Sequence, residues 1–143
     1  MRPAFLLCTA LLAATVPVSP ASGYAEFQKE FLSIYAKGAD ADPDFRKLAR
    51  KAKCYVCHQG KEDRTNYNRY GLALTEHLGE EDKKDKEKIA EALATVADQS
   101  SDPNDPAAKT FGELIGAAEL PGGSLEDSKK EPPAKDDSAT SAE

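Results

Sequence analysis

The sequence predicts an all-α fold of about five helices. Apolar residues recur at intervals of three and four through most of the chain, and capping residues stand just ahead of several of these runs. No stretch alternates apolar with polar residues long enough to make a strand.

The first predicted helix runs from Tyr24 to Lys37, on Phe27, Phe31 and Ile34, and Gly38 stops it. Asp42 followed by Pro43 reads as an N-cap with proline at the first helical position. The second helix opens there, places Phe45, Leu48, Ala49 and Ala52 on one face, and runs into Cys54. Gly60 to Thr65 is a polar loop. Asn66 is a cap for a third helix, Tyr67 to Leu78, which Gly79 ends. Asp82, with Asp85 three residues on, opens a fourth helix along Ile89, Leu93 and Val96. After a loop holding Asp-Pro twice, Thr110 caps a short fifth helix with Phe111, Leu114 and Ile115. Pro121-Gly122-Gly123 terminates the domain, and no internal repeat is present.

Two flanking segments are poor folding material. Arg2 gives a basic start, Phe5 to Val18 is apolar apart from Thr and Pro17, and Ala21-Ser22-Gly23 supplies small residues ahead of a cleavage point. Residues 1–23 therefore predict a secretory signal peptide cut near Tyr24. The apolar run falls short of the about 20 residues a membrane span requires. Cys8 lies inside that run, which speaks against a lipoprotein signal, so the mature chain keeps Cys54 and Cys57. Residues 122–143 are mainly Gly, Ser, Pro, Ala, Lys and acidic side chains. That composition predicts a disordered acidic tail and leaves 24–121 as one small domain.

Within that domain Cys54, Cys57 and His58 fall within five positions, in a chain with only 3 Cys and 2 His. C-x-x-C-H is the attachment sequence of haem c. Cysteines at i and i+3 on a helical turn share a face. They can make thioethers to the two vinyl groups on one haem edge, and the next residue can turn its imidazole under the ring to bind iron. Export fits as well, because covalent haem attachment takes place outside the bacterial cytoplasm. A thioredoxin-type disulfide expects a βαβ context that is absent. A zinc site from Cys54, Cys57, His58 and His77 has enough ligands but the wrong spacing. A domain this small, with no Trp, would take its missing core from such a cofactor, so the haem-free chain is expected to be largely unfolded.

"CYVCHQG", "NYNRYGLAL", "TFGELI" and "LPG", between Lys53 and Gly122, resemble small exported bacterial monohaem c-type cytochromes. The resemblance implies a cytochrome c-like helical domain around one covalent haem c, with Cys54 and Cys57 as attachment residues and His58 as proximal iron ligand. The sequence departs from the common pattern at the sixth iron position. The only Met is Met1, which leaves with the signal peptide. His77 is the candidate distal ligand, on a helix face with Tyr70, Ala73 and Leu74. A Lys or Tyr, solvent, or an open position are the alternatives. Tyr67, Tyr70 and Leu74 are expected to pack on the haem.

Formal charge is −6 overall, which argues against general nucleic-acid binding. Between Asp44 and Arg69, however, eight basic residues stand against three acidic ones. That zone suits haem propionates or an acidic redox partner protein. The expected function is therefore a periplasmic or otherwise exported electron carrier, not stably membrane-inserted once mature. The alternative is a five-coordinate haem protein with peroxidase-like or small-ligand sensing activity. Beyond His77 no acid–base pair marks a catalytic site.

Overall fold

A computed structural model describes residues 25–132. The expected signal peptide, 1–23, and the end of the expected tail, 133–143, lie outside the described residues. The described chain is all-α, as the periodicity predicts. Its helices are α1 (Ala25–Tyr35), α2 (Pro43–Ala52), α3 (Arg69–Thr75), α4 (Lys86–Ala97), α5 (Phe111–Gly116) and α6 (Leu125–Ser128). Two 3₁₀ turns, Lys53–Val56 and Glu80–Lys84, join them. Among the described residues the only β pairing is two isolated antiparallel bridges, His58 with Tyr67 and Ser100 with Thr110.

Local chemistry sets the ends of these elements. Asp42 accepts from the backbone N–H of Asp44 and Phe45 at 2.8 and 2.9 Å and starts α2 together with Pro43. The helix stops at Ala52 because Lys53 takes φ 52°, a left-handed backbone that a non-glycine residue rarely adopts. The Cys-x-x-Cys segment thus sits on its own 3₁₀ turn and does not continue α2. Thr110 and Glu113 form a reciprocal capping box at α5, with bonds of 2.7 and 3.1 Å. Asp85 caps α4. Asp82 instead turns back to accept from the Gly79 N–H at 2.9 Å, and from Lys88 at 2.7 Å, steadying the 3₁₀ turn ahead of α4.

The core gathers where α1, α3, α4 and α5 meet. Its largest fully buried side chains are Tyr70, Phe31, Phe45, Ile89, Leu93, Val56 and Val96. Phe31 is the hub, with ring centroids 6.2 Å from Phe45 and 5.8 Å from Tyr70, and Tyr70 in turn lies 5.2 Å from Phe111. All three contacts are edge-on, the arrangement that ring quadrupoles prefer. In α1 the buried line passes through Phe31 and Tyr35, and Ile34 is 39% exposed. The i,i+4 pair wins because the Tyr35 ring reaches Phe31 at 5.1 Å and its hydroxyl donates to the Leu93 carbonyl at 3.1 Å.

The C-terminal boundary needs correction. The disorder expected from residue 122 does not begin there: Ser124 caps α6, Ser128 is buried, and Leu125 packs on the core. The Ser128 carbonyl accepts from the Gly60 N–H at 2.9 Å, and Glu131 accepts from the Lys61 N–H at 2.6 Å. Composition does not reveal this, because the segment offers one large apolar side chain, Leu125, and two hydrogen bonds to amides some seventy residues earlier in the chain.

Candidate functional site

The 3₁₀ turn hands Cys54, Cys57 and His58 to one wall of a cavity. The N–H groups of Cys57 and His58 both bond to the Cys54 carbonyl, at 3.2 and 2.9 Å, so the three side chains are set by a single tight turn. The cavity has a volume of about 320 Å³, within the usual range for ligand sites. Ala25, Phe27, Leu74 and Leu78 give it an apolar lining, and Gln28, Thr75 and Tyr67 complete much of the rest. Lys53 and Arg64 also line it, and no carboxylate does.

Both thiols are free. Burial, with Cys54 beside it, pushes the Cys57 thiol up to about 12. It is therefore a neutral S–H at physiological pH and a poor thiolate nucleophile. His58 is buried, its ring tilted against Tyr67 with centroids 4.9 Å apart. Burial lowers its basicity, and the charge of Arg64 adds to that, against smaller opposing effects from the backbone of Asn66 and Arg64. A neutral imidazole carries a free lone pair, the form that ligates metals. Its Nδ1 is buried without a hydrogen-bond partner of good geometry.

One residue missed by sequence reasoning holds this wall in place. Asn68, buried, accepts from the Gly71 N–H at 2.9 Å and donates through Nδ2 to the carbonyls of Tyr55 and Val56, each at 3.1 Å. Its backbone N–H bonds to the Cys57 carbonyl at 3.0 Å. Asn68, not Asn66, is therefore the cap of α3, and the same amide pins α3 to the cysteine turn. Gly71 completes the joint. A Cβ there would collide with the Cys57 carbonyl oxygen, so only glycine allows α3 this close. The sequence signal was Asn-Tyr-Asn, two cap candidates two residues apart.

The remaining sequence-derived residues do not share one surface. Gly71, Leu74 and Thr75 of α3, with Leu78 just past its end, line the cavity. Tyr67 lines it too. Tyr70 does not: it stands in the aromatic core, its hydroxyl buried without a partner and its pKa raised well above the usual value, chiefly by burial. His77 lies past the end of α3 and is not among the cavity-lining residues. Its Nε2 lies 3.3 Å from Nε2 of Gln99, just beyond α4. Nor does any group of three or more His, Cys, Asp or Glu side chains among the described residues converge as a metal cage, which disfavours the zinc alternative. Comparison with protein-family models, with curated proteins and with solved structures finds no match to this chain.

Proposed function

We propose that this protein is an exported monohaem c-type cytochrome that carries electrons. The observation that carries the reading is the joint placement of Cys54, Cys57 and His58 on the wall of one apolar cavity. Each cysteine S–H would add across one vinyl double bond, sulfur to one carbon and hydrogen to the other, so attachment needs no oxidant. His58, neutral and with an orphaned ring nitrogen, fits the proximal ligand. Tyr67 and Leu74 would pack on the ring, whereas Tyr70 serves the core. Bound iron would supply one-electron exchange between its ferric and ferrous states.

Intact mass and absorption spectra of the full chain, exported from cells that attach haem, test this reading. We expect one covalent haem in the wild type and none in Cys54→Ala/Cys57→Ala. A wild-type chain of unmodified mass from competent cells overturns it.

One observation favours a second reading of the sixth position. His77 faces Gln99 and not the cavity, and no Met or second His lines the cavity. An iron held by His58 alone would take solvent or a small exogenous ligand, as in the five-coordinate alternative. The spectrum of His77→Ala separates the two. Conversion from low-spin to high-spin iron restores His77 as ligand; an unchanged spectrum with ready carbon monoxide binding supports the open position.

A further inference from the structure

Arg64 is the one guanidinium in the cavity lining, and its charge has no carboxylate there to meet. Its Nη1 is buried with no hydrogen-bond partner, an arrangement that costs free energy unless something else fills it. The guanidinium carbon stands 5.8 Å from the centroid of the Tyr55 ring, a contact that limits where the group can swing. Other cations of the basic zone are engaged or elsewhere. Arg69 is paired to Asp102 at 2.7 Å, and Lys51 and Lys61 are exposed and outside the lining. With Lys53, Arg64 leaves the cavity cationic, so its complement is an anion.

We propose that Arg64 is the carboxylate anchor of this cavity, holding an acidic side chain of the bound cofactor through its charge and its Nη1 donor. The proposal rests on the haem reading and adds which residue orients the cofactor. A planar guanidinium suits this task better than an ammonium, because it can face both carboxylate oxygens at once. The Tyr55 ring lies beside the Arg64 guanidinium, and Tyr55 belongs to the same turn as the cysteines. The anchor on the loop after His58 would then be held against the element that carries the attachment residues.

The test uses the full chain, exported with haem attached, as wild type, Arg64→Gln, Arg64→Lys and the remote control Arg50→Gln, which changes the same charge on the exposed side of α2. Removing a cation beside the iron favours the ferric state. Arg64→Gln is therefore expected to lower the midpoint potential and to shift the resonance Raman bending band of the cofactor carboxylate. Arg64→Lys keeps the charge and is expected to retain most of the wild-type midpoint, and Arg50→Gln to leave it unchanged. A wild-type midpoint that is the same in acetate as in chloride of equal ionic strength assigns the carboxylate to the cofactor; one that moves with acetate overturns the proposal in favour of a site for free anions. Covalent haem with Arg64→Gln indistinguishable from wild type in both readouts sinks the anchor alone. A wild-type chain without haem sinks the anchor and the haem reading together.

Discussion

Asn68 concentrates more of the site than any other uncharged side chain. It caps α3 and satisfies two carbonyls of the cysteine turn, so its loss strands three backbone groups at once. Asn68→Ala should destabilise by about 2 kcal/mol, from the lost cap and the buried groups left unpaired. Asn66→Ala should stay within about 0.5 kcal/mol, as an ordinary surface change. Urea unfolding of the two variants side by side checks this, and equal losses would show that Asn66 carries the cap. The cysteine–histidine motif was legible because its chemistry lies within five consecutive residues. The choice between Asn66 and Asn68 was not, because only the approach of α3 to the turn decides it.

At the scale of elements, local signals were enough to place the helices and too weak to orient them. Asp42-Pro43 and Thr110 mark starts that the structure keeps. The spacing of seven between Tyr70 and His77 predicted one shared helix face, but α3 ends at Thr75, before His77. Phe31 and Phe111 claim Tyr70 for the core, a matter of tertiary packing that spacing does not show. α6 was invisible for a different reason: besides Leu125, it and the residue Glu131 after it hold the chain through the distant Gly60 and Lys61 amides. Cutting the protein after Pro121 should speed hydrogen exchange at those two amides and lower stability by on the order of 2 kcal/mol. A cut after Pro132 should do neither. Unchanged exchange at Gly60 in the shorter protein would show that α6 contributes nothing to the loop.

For the molecule as a whole, Phe27, Leu74 and Leu78 face a cavity instead of packed neighbours, and a bound cofactor would supply the missing contacts. On the haem reading proposed above, Cys54→Ala/Cys57→Ala without haem should lose most of its cooperative thermal transition, and a sharp transition close to that of the haem-attached chain would contradict this. Acid should weaken the fold through its carboxylates. The Gly79 N–H and Lys88 hold Asp82 below the usual carboxylate range, and Arg69 and Lys130 do the same for Asp102 and Asp127. A depressed carboxylate stabilises the fold above its unfolded value and loses that contribution as pH falls through the folded one. Asp82→Asn should thus lower stability at neutral pH and flatten its decline below about pH 4, measured as urea midpoint against pH.

The hold of Ser128 and Glu131 on Gly60 and Lys61 has a consequence in time. If the chain is exported, as proposed above, and threaded amino end first, it presents its cysteine pair some seventy residues before those fasteners arrive. Until they do, the Gly60 and Lys61 amides lack those acceptors, so a cofactor attached early, on the reading proposed above, would meet the loop after His58 before the C-terminal segment has fastened it.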